Sequence, residues 1–260
     1  MTLRFLAVSC AFLWGALDAL TSSVIIPCHA PHFQYLEELL QSYERQTRPP
    51  DEVVIALSGC SQLDPEAIHK LQEQAFAFPV RYICNEGPVS RGANRNLAAG
   101  QASGDVLVCQ DADDVPHPKR IELCMRVFEG QPSVNFVLHG CALSIESVKP
   151  KTTFAVQLAQ EEFLAMDFSS ESLPAFPYPS GKLPRQHHCF CNGVPTLKRS
   201  LWSSGSRWIE SLQRTEDVRF VRTLVNHHGG GIFLNLPLYY YRRDLSAGYT
   251  GKSVWERGAA

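Results

Sequence analysis

Between Ser23 and Phe128 the chain repeats one pattern, a short uninterrupted apolar run followed by apolar residues at helical spacing. That alternation leaves few folds open. A strand that is apolar without a break is buried on both faces, and parallel strands covered by helices are the arrangement that buries them. Val24-Ile25-Ile26 is the first such run, read as ending at Pro27. Phe33, Leu36, Leu39, Leu40 and Tyr43 follow at helical spacing. Pro49-Pro50 breaks the chain before a second strand, Val53 to Leu57. Pro65 opens a helix carrying Ile68, Leu71 and Ala75, and Val80 to Cys84 is a third strand. Arg91 to Ser103 reads as a helix with Gly104 as its C-cap. Val106-Leu107-Val108-Cys109 is the fourth strand, and Asp111-Ala112-Asp113-Asp114 follows it at once. Pro116 and Pro118 introduce a helix with Ile121, Cys124, Val127 and Phe128 on one face.

The fold class expected from this pattern is α/β, a single domain with a mostly parallel central sheet covered by helices. Ligands of such sheets bind beyond the carboxyl ends of the strands. One functional rim is therefore expected to gather Pro27 to Pro31, Ser58 to Ser61 and Asp111 to Asp114. After residue 145 the rhythm changes. Ser169 to His188 is long, polar and rich in proline, which marks a functional or mobile loop. Asn192 to Leu201 is read as a strand pair. Thr215 is read as the cap of a helix carrying Val218, Val221, Leu224 and Val225. Gly229-Gly230-Gly231 is a turn before a late strand, Ile232 to Tyr241.

Composition removes some partners. Lys and Arg total 24 against 26 Asp and Glu, so no basic excess exists to bind a phosphate backbone, and nucleic acid is excluded as the expected partner. Residues 1–22 read as a signal peptide or short hydrophobic leader, because Arg4 precedes an uncharged run from Phe5 to Leu17. That segment implies the secretory pathway or membrane association, with a cytoplasmic location as the alternative. Nine cysteines include no CxxC pair, so neither a zinc ribbon nor a thioredoxin-type site is indicated. Several sit inside apolar runs, where Cys behaves as a small buried hydrophobe.

Three carboxylates within Asp111-Ala112-Asp113-Asp114 repel one another, and a divalent cation is one reason to hold them at a strand end. A solvated acidic turn is the plainer reading. Thr215-Glu216-Asp217 suits any helix start, yet also offers a carboxylate base. A helix dipole there is expected to lower the carboxylate's pKa. Arg91, Arg95 and Asn96 offer a grip for phosphate or for the acidic cluster, or a solvated helix face. His187-His188-Cys189-Phe190-Cys191 lacks the usual zinc spacing. Tyr239-Tyr240-Tyr241-Arg242-Arg243 ends the last strand with aromatics that either stack on a ring or finish the core.

These residues together resemble a family 2 glycosyltransferase of the GT-A, Rossmann-like fold. Val24-Ile25-Ile26-Pro27 is similar to the family's first strand. Arg95-Asn96-Leu97, Gly104-Asp105 and Asp111-Ala112-Asp113-Asp114 resemble its central block, Glu216-Asp217 its later acidic pair, and Tyr241-Arg242-Arg243 with Ser246 its closing segment. The resemblance covers residues 23–247, with 23–145 as the nucleotide-sugar half, 146–247 as the acceptor half and 248–260 as a tail. It implies a hexosyltransferase-type enzyme that moves a sugar from a nucleotide-sugar donor to a glycan, lipid or protein acceptor, with inversion. It also implies Mn²⁺ or Mg²⁺ on Asp113, and Asp217 as base with Glu216 beside it. Pro27, Ser58, Arg95, Asp111 and Arg242 would then contact the donor. The family's second strand ends in an acid that reads the nucleotide base, and here Ser58 stands in that place, so weak base discrimination is expected. Where the closing segment often carries a metal-assisting His, Asp244 stands nearby; the expectation is that it ligates in that place or that the metal keeps a water. Two other classes fit parts of the pattern: a non-catalytic nucleotide-sugar or glycan-binding protein on the same fold, and a haloacid dehalogenase-type phosphatase, whose acidic motif follows a first strand.

Overall fold

Alternate residues of the first strand face opposite ways, and both ways are buried. The computed structural model describes residues 19–144, 155–168, 173–177, 195–212 and 215–242. The first half runs β1 (Ser22–His29), a 3-10 turn, α1 (Leu36–Glu44), β2 (Glu52–Ser58), α2 (Pro65–Gln72), β3 (Val80–Asn85), α3 (Arg91–Gln101) and β4 (Val106–Cys109). The short β5 (Val115–Pro116), α4 (Arg120–Gly130) and β6 (Phe136–Leu143) follow. The second half supplies β7 (Ala155–Gln157), α5 (Gln160–Leu164), β8 (Ala175–Pro177), β9 (Thr196–Lys198), α6 (Arg199–Ser203), α7 (Glu216–His227) and β10 (Gly231–Tyr241).

The ten strands of the described residues form one sheet in the order β3-β2-β1-β4-β9-β6-β10-β5, with β7 beside β6 and β8 beside β10. Strands β1 to β4 are parallel where they pair. β9 runs antiparallel to both β4 and β6. β6 and its parallel neighbour β10 therefore point the same way as β1. The carboxyl ends of β1, β2, β4, β6 and β10 thus share one rim, as expected for a mostly parallel α/β sheet. The acidic motif follows the fourth strand, which departs from the phosphatase pattern.

The two faces have separate cores. Val24, Ile26, Val53, Ile55, Val106 and Val108 pack with Leu40 and Tyr43 of α1 and with Ile121 and Phe128 of α4. Ile25, Val54, Ala56 and Leu107 pack on the other face with Ala98 of α3 and with Phe220, Val221 and Leu224 of α7. Truncating any of these large side chains to Ala costs about 2–5 kcal/mol. The consequence for function is that α3 and α7 lie on one face, side by side. Cys28, Cys60, Cys109 and Cys124 are buried as free thiols, in keeping with their apolar setting.

Several expectations need correction. β1 does not end at Pro27 but continues to His29. A residue's N–H and C=O point to one side of a strand, and on the Ile25 side β1 receives Gln110 N at 3.1 Å. β4 pairs with β1 only as far as Ile25, so Pro27 meets no ladder partner for the N–H it lacks. Gly104 is not the cap of α3, whose C-cap residue is Ala102. Gly104 instead lies against β1: a Cβ there would stand 2.6 Å from Ser23 Oγ and 2.9 Å from Ser23 N. The supposed strand pair at 192–201 is β9 followed by α6, with 192–194 outside the described residues. Thr215 occupies the N-cap position of α7 but makes no side-chain cap, and its φ of 64° is left-handed. β6 goes unmarked in the sequence because His139 and Gly140 interrupt its apolar run. Among the described residues no helix is long and apolar enough to cross a membrane. Residues 1–18 of the expected leader, and most of Ser169 to His188, lie outside the described residues.

Candidate active site

The acidic loop leaves β4 and is pinned from below. Asp114 is fully buried; its Oδ2 accepts from the Tyr239 hydroxyl at 2.6 Å and its Oδ1 from Arg242 N at 2.8 Å. Asp111 N donates to the same Tyr239 hydroxyl at 3.3 Å. The end of β10 therefore holds both ends of the loop. Burial, then Asp113 and Asp111, push the Asp114 carboxyl well above its ordinary range. Both carboxylate oxygens of Asp114 are thus engaged within the protein. Tyr240 packs beside Phe163, so these two tyrosines finish the interior rather than offer a stacking face.

Arg95 joins the two acidic motifs. It projects from α3 with 2% exposure, Nη2 lying 2.5 Å from Asp111 Oδ1 and Nη1 3.3 Å from Glu216 Oε1. Burial opposes its charge, but Asp111 and Glu216 more than offset that, and its pKa is raised. Glu216 is itself 1% exposed and is the first residue of α7. Asp217, the next residue, is half-buried. Burial raises its pKa to about 6, opposed by a hydrogen bond from Val218 N. That reverses the shift expected from the helix dipole: loss of water outweighs the dipole at this position.

The rim at the ends of β1 and β2 differs from expectation. Pro27 is buried inside β1, two residues short of the rim, and the rim residue is His29. Ser58 closes β2 with its Oγ 2.8 Å from His29 Nδ1. Burial, then Arg91, lower the His29 pKa to about 4, so the imidazole is neutral. Asn94, fully buried on α3, donates to Cys28 O at 3.1 Å and Ala56 O at 2.8 Å and clamps the ends of β1 and β2 together. Asn96 makes no such contact; it bonds Trp208 N and O and Glu210, fastening the loop before α7. His29, Asn94 and His32 escape sequence reading, because isolated polar residues next to a strand end or on a helix carry no spacing signal.

Asp113 is about one-third exposed, with His32 Nδ1 3.6 Å away. Burial raises its pKa, and Asp111 adds to that against His32. Among the described residues no three His, Cys, Asp or Glu side chains converge on one metal position. One or two carboxylates are nevertheless what Mn²⁺ or Mg²⁺ takes from protein when a diphosphate supplies further oxygens, so the donor set fits that ion. Asp244, expected to assist, and His187 to Cys191 lie outside the described residues. The Arg242 guanidinium pairs with Glu38 of α1 and with Gln160 at 3.2 Å, and lies over the Tyr35 ring. It is Arg242's backbone N–H that reaches the acidic loop.

Comparison with known proteins bears on this geometry. Residues 23–173 match the family model for glycosyl transferase family 2. The chain is 33% identical over 117 residues to an uncharacterized glycosyltransferase of Haemophilus influenzae, covering 45% of this chain and 37% of that protein. It is 29% identical over 123 residues to an uncharacterized glycosyltransferase of Methanocaldococcus jannaschii, covering 47% and 42%. The chain thus spans less than half the length of these curated relatives. The crystal structure of S. aureus TarS 1-349 in complex with UDP has a TM-score of 0.64 at 18% identity, over 86% of this chain and 61% of that one. That likeness shows the GT-A fold. The matched segment holds Arg95 and the whole acidic loop, and the chain belongs to glycosyltransferase family 2.

Proposed function

We propose that the protein transfers a sugar from a nucleotide-sugar donor to an acceptor hydroxyl, with inversion, in a metal-dependent single displacement. The observation that carries this reading is the continuity of Asp113, Asp111, Arg95, Glu216 and Asp217 across the rim. Arg95 couples the donor side to the acceptor side through one buried guanidinium. Asp217, with a pKa raised to about 6, is ionised near neutral pH and basic enough to take a proton. In the displacement Asp217 accepts the acceptor hydroxyl's proton as its oxygen bonds the anomeric carbon, and the nucleoside diphosphate leaves from the opposite face. Asp113 would hold Mn²⁺ or Mg²⁺, with Asp244 as the proposed second ligand. The ion supplies charge neutralisation on the leaving diphosphate. Asp111, fixed by Arg95, faces the nucleoside side. A binding protein would have no use for a half-buried carboxylate poised to accept a proton.

Solved complexes of TarS hold UDP and UDP-GlcNAc, which makes uridine diphosphate sugars the first donors to assay. The test is calorimetric binding of nucleoside diphosphates with Mn²⁺ and with chelator, beside donor turnover with an acceptor panel. Metal-linked binding, abolished in Asp113→Asn, together with transfer to an acceptor is the expected result. Binding indifferent to chelator and to that substitution overturns the metal assignment; metal-linked binding with no transfer to any acceptor favours the non-catalytic reading.

A further inference from the structure

The side chain of Gln110 uses its full hydrogen-bonding capacity, and both of its N–H donors go to the acidic loop. Gln110 follows β4 directly and is 1% exposed. Its Oε1 accepts from Arg120 Nη1 at 2.7 Å and from the Tyr43 hydroxyl at 3.0 Å. Its Nε2 donates to Asp111 O at 2.9 Å and to Asp114 O at 3.1 Å. Arginine only donates, so the oxygen must face Arg120 and the two N–H groups must face the carbonyls. One amide therefore spans the loop from its first residue to its last.

The support beneath it is rigid and charged. Arg120 is fully buried and donates through Nη2 to Cys109 O at 2.8 Å and through Nε to His139 Nε2 at 3.1 Å. His139 accepts there because its other nitrogen donates to Gly140 O at 2.8 Å. The Arg120 guanidinium also lies 5.2 Å from the centre of the Tyr239 ring, whose hydroxyl holds Asp114. Gln110 and Tyr239 thus brace the same four residues, one through the carbonyls and the other through the Asp114 carboxylate.

We infer that Gln110 is a positioning residue for the donor site: by bonding the carbonyls of Asp111 and Asp114 it sets the separation at which Asp111 and Asp113 meet the metal and the nucleotide diphosphate. The inference rests on the metal-dependent reading given above. A buried strut of this kind has the effect of an outer-shell partner of a metal ligand, whose loss costs about 10–100-fold in metal affinity.

Gln110→Glu separates this role from plain packing. The variant keeps oxygens for Arg120 and Tyr43, and the new carboxylate pairs with the buried Arg120, so the fold is retained. It replaces the N–H donors by an oxygen facing two carbonyls. Tyr43→Phe is the converse control, since it weakens the support without touching the carbonyls. The measurements are the thermal midpoint without ligand and the Mn²⁺ dependence of binding, using whichever of UDP, GDP and dTDP the wild type binds most tightly. In Gln110→Glu the Mn²⁺ needed for half-saturation is expected to rise at least about tenfold, with a near-native midpoint. In Tyr43→Phe the midpoint falls and the Mn²⁺ requirement stays. Wild-type Mn²⁺ dependence in Gln110→Glu overturns the inference alone. If Gln110→Glu does not fold, Gln110→Met and Tyr43→Phe are compared at equal loss of stability; the same Mn²⁺ requirement in both overturns it as well. Wild-type protein with no Mn²⁺-linked binding overturns both this inference and the metal reading beneath it.

Discussion

Arg95 and Glu216 stand 121 residues apart in the chain and meet at 3.3 Å in the seam between α3 and α7. Both are buried, and Arg95 also pairs with Asp111, so removing the guanidinium takes a buried positive charge away from two carboxylates at once. Arg95→Met is expected to destabilise the fold by about 3–5 kcal/mol in urea denaturation. Adding Glu216→Gln to that variant should recover part of the loss, because one of the two carboxylates that faced the guanidinium is then neutral. Strict additivity of the two substitutions would show that the pair is not coupled.

Asp217 should govern the pH profile. A base acts only when ionised, so kcat/KM is expected to rise as pH passes through about 6 and to level off above it. Asp217→Asn should leave donor binding unchanged, lower turnover at least about 10²-fold and remove that inflection. Its stability should move the opposite way. A carboxyl whose pKa is raised in the folded state binds its proton more tightly there than in the unfolded chain, so it costs stability above about pH 6 and the cost fades below pH 4. Asp217→Asn is therefore expected to melt higher than wild type at pH 8 but not at pH 4. Full activity in this variant would remove Asp217 from the reaction.

The Ser58–His29 pair bears on nucleotide choice. A neutral imidazole and a hydroxyl each donate or accept, and neither carries the charge with which a carboxylate grips a base N–H. UDP, GDP and dTDP should bind within about a hundredfold of one another, or 2.7 kcal/mol. Ser58→Asp should sharpen the preference among them. A preference for UDP beyond a hundredfold in the wild type would mean that other residues read the base.

Thr215 is held at a φ of 64°, which a β-branched residue adopts at a cost of about 1–3 kcal/mol. Glycine takes this conformation freely. Thr215→Gly should melt at or above the wild-type temperature while transfer falls and donor affinity stays, since the strain sits immediately before Glu216 and Asp217. A loss of more than about 1 kcal/mol, the usual cost of glycine's extra freedom, would indicate that the backbone is not strained there.

Much of the first half was legible from residues alone. The strands β1 to β4 are unbroken apolar runs, and the helices between them have clean spacing, so the sheet, its faces and the rim where its strands end follow from periodicity. The acidic loop was visible because three like charges at a strand end need a cause. What stayed hidden was held by tertiary contacts. β6 was masked by His139, whose burial depends on Arg120. Glu216 looked like an ordinary helix start until α3 and α7 were seen to share a face. His29 and Gln110 act through side-chain hydrogen bonds, which leave no repeat in a sequence. The pKa of Asp217 was expected to fall with the helix dipole, but desolvation raised it, and burial at that depth cannot be read from three residues.

β9 has a consequence for the order of events in folding. No hydrogen bonds join β4 to β6 directly; the three residues of β9 lie between them and pair with both. Those residues are synthesised almost ninety positions after β4. Until they emerge, a growing chain holds a finished parallel half with β4 as an open edge, and open edges recruit foreign strands. The same delay falls on the acidic loop, because Tyr239 and Arg242 arrive later still. The rim at the acidic loop is therefore complete only after the end of β10 has been made.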